Sequence, residues 1–196
     1  MFNLVIFGAP GSGKGTQSEK LIAHYGLTHI STGEVLRAEI AAGSELGKIA
    51  DRYISKGQLI PDDLMVDILA AEVDRLRPEA RGFIFDGFPR TIPQAEALKK
   101  MLESRGEEVH SVIGLEVDDE ELMERLIKRG AVSGRADDNA ETINKRLQVY
   151  HNTTSPLREY YRKEGKYHAI QGSGHVDEIF GKISEAIDSH PSAPGK

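Results

Sequence analysis

An α/β fold, a parallel five-stranded sheet flanked by helices, is what this sequence predicts. Three observations carry that expectation. Short apolar runs alternate with longer stretches of helical periodicity, as in successive βαβ units. The runs are rich in β-branched and aromatic residues with little polar alternation, which suits strands covered on both faces. A glycine-rich turn joins the first run to the first helical stretch.

The elements follow in order. "NLVIF" (3–7) opens the sheet; it is short, lacks a basic leader and passes straight into glycines, so it reads as a buried strand and not a signal peptide. "GKGTQSEKLIAHYG" is a helix ending near Gly26. "THIST" (28–32), "GFIFD" (82–86), "HSVIGLEV" (110–117) and "YHAIQ" (167–171) supply the other four strands. "DDLMVDILAAEVDRL" (62–76) sets Leu64, Ile68, Leu69, Val73 and Leu76 on one side at helical spacing. "DEELMERLIKRG" (119–130) begins acidic and ends basic, as the helix dipole favours. "ETINKRLQVYHNTT" (141–154) and "DEIFGKISEAIDS" (177–189) complete the helices, and the terminal "HPSAPGK" reads as frayed.

Two regions break the alternation. Residues 31–60 hold two short helical patterns interrupted by "AGS" and "SKGQLIPDD", a small helical insertion. Residues 128–138, "KRGAVSGRADD", read as a loop between two helices. Both are candidate flaps, with Gly43, Gly57, Gly130 and Gly134 as hinge positions. The core is then 1–30, 61–127 and 139–196.

Composition narrows the classes. With 196 residues, 39 % hydrophobic and 29 % charged, the chain suits one domain with a real core. The formal charge of −6 argues against nucleic acid as a partner, which usually calls for a basic excess. No cysteine is present, so disulfides and thiolate metal sites are excluded. No stretch reaches the ~18 apolar residues of a membrane span, and the chain reads as cytoplasmic.

"GAPGSGKGT", Gly8 to Thr16, is almost the P-loop pattern of Gly, four residues and Gly-Lys-Ser/Thr. Glycines let successive N–H groups converge on an anion, and the helix N-terminus adds positive potential. Lys14 supplies a mobile charge to the outer phosphates. Gly15, however, stands where a Mg²⁺-ligating hydroxyl is usual, and Thr16 comes one place late.

Other constellations surround it. In "DGFPRT", Asp86 ends a strand where P-loop proteins place a Mg²⁺-related carboxylate, and Arg90 can fork around a phosphate. In "STGEVLR", Thr32 can cap a helix and Arg37 lies on its next turn. "GQLIPDD" has the shape of a turn with Pro61 opening a helix. Gln94 is either solvent-exposed or pairs its amide with the donor and acceptor edge of adenine. Arg125, Lys128, Arg129, Arg135 and Arg146 form a cationic run, of which Arg125 and Lys128 read mostly as a solvated face. Asp137 and Asp138 either cap the next helix or orient arginines.

Together these stretches resemble the adenylate kinase family. "GAPGSGKGTQ", "STGEVLR", "GQLIPDD", "DGFPRTIPQA" and "GRADDNAETINKRL" stand in the family's order and at its spacing, from Leu4 to about Val176. The family's phosphate loop shares the "GKGT" ending, so the displaced hydroxyl is a common trait. The resemblance implies a P-loop NTPase-like fold with an AMP-binding insertion at 31–60 and a short lid at 128–138. It implies that Gly11, Ser12, Gly13, Lys14, Gly15, Thr16, Arg129 and the backbone at Gly174 bind ATP. It implies that Thr32, Arg37, Gln58, Leu59, Ile60, Gly87, Phe88, Pro89, Arg90 and Gln94 hold AMP. Arg135 and Arg146 would clamp the phosphates near the transfer point. Catalysis would then rest on Lys14, Arg90, Arg129, Arg135, Arg146 and Asp86.

The implied reaction moves the terminal phosphoryl group of ATP to AMP, reversibly, giving two ADP. Mg²⁺ would accompany ATP without a direct protein ligand, Asp86 acting through water. With only "GAVSG" between Arg129 and Arg135 and no Cys, the short lid without zinc is implied. Closure of the two flaps would keep water from the γ-phosphate, adenylate kinase lids being the familiar example of such gating. A monomer is implied. Two alternatives stay open: a kinase for another nucleoside monophosphate such as UMP or CMP, or a non-catalytic nucleotide-binding protein. Uridylate and cytidylate kinases commonly carry Ala where Thr32 stands, so "STG" favours AMP. A GTP-binding switch would need "NKxD", whereas Asn144-Lys145 is followed by Arg146-Leu147.

Overall fold

A computed structural model describes residues 1–195. The five strands are β1 (Leu4–Gly8), β2 (Thr28–Ser31), β3 (Phe83–Asp86), β4 (Ser111–Glu116) and β5 (Tyr167–Gln171). They pair in the order β2-β3-β1-β4-β5, parallel throughout. The expected parallel α/β sheet is therefore the fold, with strand ends shifted by a residue or so. The helices are α1 (Lys14–Tyr25), α2 (Thr32–Ala42), α3 (Glu45–Ile54), α4 (Asp62–Leu76), α5 (Ile92–Glu103), α6 (Asp119–Ser133), α7 (Ala140–Val149), α8 (Leu157–Lys163) and α9 (Val176–Asp188). A π-helical turn, Tyr150–Thr154, continues α7.

The two-residue period of a strand sorts its side chains onto opposite faces. In β1, Val5 and Phe7 enter one core with Phe83, Phe85, Leu69, Val73 and Leu98. Leu4 and Ile6 enter the other, with Leu21 of α1 and Ile183 and Ile187 of α9. Both faces are covered, which explains the missing polar alternation. Each such fully buried side chain contributes about 1.5–3 kcal/mol from area removed from water.

Several local expectations are corrected. α6 runs three residues past Gly130 to Ser133 and stops at Gly134, whose φ of 64° is a left-handed cap. Much of the stretch read as a loop is thus helical. Gly130 is no hinge: it lies inside α6, and a Cβ there would meet the Asp138 carbonyl oxygen at 2.6 Å. Ser31, not Thr32, caps α2, its hydroxyl accepting from the Glu34 N–H at 3.3 Å. Asn139, not Asp137 or Asp138, caps α7. Helices α5 and α8 were not anticipated. The tail through Gly195 is not simply frayed, since His190 packs edge-on against Phe2 and His110 and Ala193 lies against the core. Lys196 lies outside the described residues.

Candidate active site

The site gathers where β1 and β3 end, beside each other at the centre of the sheet. Ile6 faces Asp86 in register, and β1 passes into the glycine-rich turn at Gly8. Gly11 and Gly13 take φ of 80° and 99° there, values that strain any side chain. A Cβ on Gly11 would also meet Leu126 of α6 at 2.9 Å. The Lys14 ammonium folds back across the turn, donating to the Gly8 carbonyl at 3.1 Å and the Ala9 carbonyl at 3.2 Å. Desolvation pulls its pKa down to about 8, against the attraction of Asp86.

Asp86, 8 % exposed, ends β3. Its Oδ2 lies 3.1 Å from His29 Nε2. Burial alone would raise the carboxyl pKa, but the hydrogen bond from His29 and the charge of Lys14 outweigh it and hold the pKa low. His29 responds reciprocally: desolvation pulls it down, and the bond to Asp86 more than restores it.

The opposite wall rises from the same strand end. Gly87 takes φ of 83°, and a Cβ there would meet Thr32 Oγ1 at 2.8 Å. Arg90 curls back, its Nε donating to the Gly87 carbonyl at 2.9 Å. Gln94 is only 2 % exposed, so its solvent-exposed alternative falls. Its Oε1 accepts from the Arg90 backbone N–H at 2.7 Å, and its Nε2 donates to Asp62 at 2.8 Å. Phe88 is 1 % exposed and sits in the core, lining neither cavity described below; its AMP-binding role has no side-chain support.

The cationic run converges on two acidic neighbours. Asp138, whose side chain is fully buried, accepts from Arg129 at 2.6 and 2.7 Å and from Arg146 at 3.1 Å. Asp137 accepts from Arg135 at 3.1 Å and lies 3.3 Å from Arg146. Burial lowers the Arg146 pKa to about 10, and burial likewise lowers Arg37. Burial would raise Asp137, but Arg146 and Arg135 outweigh it and leave it low.

Two cavities open here. One is lined by Thr32, Leu36, Gln58, Leu59, Ile60, Pro89 and Gln94 among others. The second is lined by the glycine-rich turn from Gly11 to Thr16, Asp86, Arg129 and Gly174. They meet at a shared border that includes Lys14, Arg37, Arg90, Arg135 and Arg146. With Arg129 that makes six cations, against the carboxylates of Asp86, Asp137 and Asp138. The excess positive charge at the junction calls for anions.

Arg125 escaped the sequence reading. It is half-buried and lines the second cavity, bonded to Glu121, to the Gly172 carbonyl at 2.9 Å and to the Gly11 carbonyl at 3.3 Å. It ties the glycine-rich turn to the loop after β5. Its neighbours along the helix gave no sign of this, because both carbonyl partners come from distant strand ends. Lys128 is exposed, as expected. Asp62 was also missed, being indistinguishable from an ordinary acidic residue of a helix first turn.

A sequence model described as adenylate kinase matches residues 6–166. The chain belongs to the adenylate kinase family. The adenylate kinase of Parabacteroides distasonis is 62 % identical over 189 residues, spanning 96 % of this chain and 99 % of that one. That of Bacteroides fragilis is 63 % identical over 189 residues, 96 % and 100 %. The adenylate kinase of Porphyromonas gingivalis is 54 % identical over 188 residues, 96 % of each. The matched adenylate kinase region contains the glycine-rich turn, the acidic end of β3 at Asp86 and all the junction cations. No helix among the described residues is long and apolar enough to cross a membrane. Among them, too, no group of three or more His, Cys, Asp or Glu is arranged to hold a metal ion.

Proposed function

We propose that this chain transfers the terminal phosphoryl group of ATP to AMP, reversibly, forming two ADP. The observation that carries the reading is the pair of cavities meeting at five shared cations. One cavity has a phosphate-cradling turn; the other has the buried amide of Gln94 and the apolar wall of Leu36 and Ile60. Two nucleotides seated there point their phosphates at each other across Lys14, Arg90, Arg135 and Arg146.

Phosphoryl transfer asks mainly for alignment and charge neutralisation. The amides from Gly11 to Thr16 hold the ATP phosphates and Lys14 reaches the outer ones. Arg37 and Arg90 hold the AMP phosphate. Arg129, Arg135 and Arg146 surround the moving group. The acceptor is already an ionised phosphate, so no general base is needed. Thr32, Gln58 to Ile60, Gly87 and Pro89 shape the AMP side, and Gly174 borders the ATP base.

Mg²⁺ bound with ATP would supply charge neutralisation at its phosphates. Two carboxylates, Asp86 and Glu34, line that cavity, and no group of three or more potential ligands gathers among the described residues, which fits a water-mediated hold by Asp86 and not a ligand cage. Mg²⁺ keeps several of its waters readily. Residues 31–60 and 128–138 act as the moving parts over a core of 1–30, 61–127 and 139–196. The protein works as a monomer on small nucleotides, in the cytoplasm.

The test is an acceptor panel: ATP with AMP, CMP, UMP or GMP, and the reverse reaction from ADP. AMP should be preferred by a wide margin. Preference for a pyrimidine monophosphate, or no turnover at all, would overturn the proposal.

A further inference from the structure

Asp62 lies outside the set that touches phosphate, yet its polarity dictates that of Gln94. A carboxylate only accepts hydrogen bonds. Asp62 Oδ1 takes the Thr91 hydroxyl at 3.2 Å and the Gln94 amide nitrogen at 2.8 Å. On the amide's other side the partner is the Arg90 backbone N–H, which only donates and meets Gln94 Oε1 at 2.7 Å. Both partners therefore demand the same amide orientation. Turning it over would set oxygen against carboxylate and N–H against N–H. One N–H and one oxygen lone pair remain for the cavity that Gln94 lines.

We infer that Asp62 is a specificity-determining positioning residue, which fixes the order of donor and acceptor that Gln94 presents to the acceptor base. The inference rests on the proposed function. Adenine offers an acceptor at N1 beside a donor at N6 and matches a locked amide. Hypoxanthine and guanine offer a donor at N1 beside an acceptor at O6 and meet like groups. Cytosine has adenine's pattern, acceptor at N3 and donor at N4, so the lock does not separate CMP from AMP. Size and reach do that instead.

This gives a readout that general loosening of the site would not produce. Asp62→Leu removes the acceptor, and Asp62→Asn keeps one acceptor oxygen. Steady-state kcat/KM is measured with AMP, IMP and CMP for wild type and both variants. The AMP-to-IMP preference should fall about tenfold in Asp62→Leu, the scale of one hydrogen bond to a charged group. The change should reside in KM for the monophosphate. The AMP-to-CMP preference should move less than twofold, and Asp62→Asn should keep most of the wild-type selectivity. If Asp62→Leu fails to fold by circular dichroism, Asp62→Ala carries the same comparison. Unchanged preferences, or equal losses against IMP and CMP, would overturn the inference. Absence of AMP turnover in the wild type would instead overturn the proposed function.

Discussion

Removing the charge of Asp138 is the sharpest perturbation of the junction. Its side chain is fully buried and holds both prongs of Arg129 and one of Arg146. Asp138→Asn keeps the shape but leaves three arginines facing one remaining carboxylate, Asp137. Breaking a buried pair by neutralising one partner costs about 3–5 kcal/mol. The Arg129 side chain is 35 % exposed, so water screens part of that loss and about 2 kcal/mol is the better figure. For a chain of this length each kcal/mol moves the melting temperature by roughly 2–4 °C, so the ligand-free protein should melt about 4–8 °C lower. A two-headed ATP–AMP mimic brings its own negative charge to the same arginines. The deficit should therefore shrink when wild type and variant are melted with saturating mimic. Differential scanning calorimetry on the four samples decides the matter. An unchanged melt without ligand, or an equal deficit with and without it, would refute the charge-replacement reasoning.

Other perturbations act on separate parts of the site. Lys14→Met should lower kcat by roughly 10²–10³-fold in a coupled ADP assay while the circular dichroism spectrum stays native. Asp86→Ala should raise the Mg²⁺ concentration needed for half-maximal rate, read from a Mg²⁺ titration at fixed ATP. Gly87→Ala places a Cβ 2.8 Å from Thr32 Oγ1 on a left-handed backbone, so KM for AMP should rise about tenfold and KM for ATP should hardly move. His110 is half-buried and stacks on Phe2, accepts the Asn3 N–H at Nδ1, and has a pKa lowered by desolvation. The folded state thus disfavours protonation, so its contribution is intact above about pH 6.5 and fades as the pH falls below it. His110→Gln should flatten that acid-side slope in melts taken between pH 7 and 5.

What was legible from the sequence is what depends on near neighbours. The helix from Asp62 to Leu76 follows from its apolar spacing, its acidic start and Pro61 before it. The glycine-rich turn is legible because its glycines, lysine and flanking strand are contiguous. Partners brought by the fold were not. Gln94 is buried because Asp62 arrives from another helix, 32 residues away. Arg125 looked solvated because the carbonyls it holds belong to Gly11 and Gly172. Helix α5 was obscured by Pro93, which fits a first helical turn as well as a loop. Gly130 suggested flexibility, whereas the Asp138 backbone presses so close that a side chain has no room.

That same contact makes a fastener. Arg129 and Asp138, nine residues apart, close the neck of the stretch between them with two parallel bonds, and Asp138 is also held by Arg146 on α7. Whatever chain leaves and re-enters at this neck is anchored before it begins. Extra length spliced in between Ser133, where α6 ends, and Arg135 would therefore add little strain to the sheet below, because each doubling of a closed loop costs only about 0.6 kcal/mol. The neck marks a natural grafting point, where a reporter peptide or a binding segment can be carried directly over the reacting nucleotides.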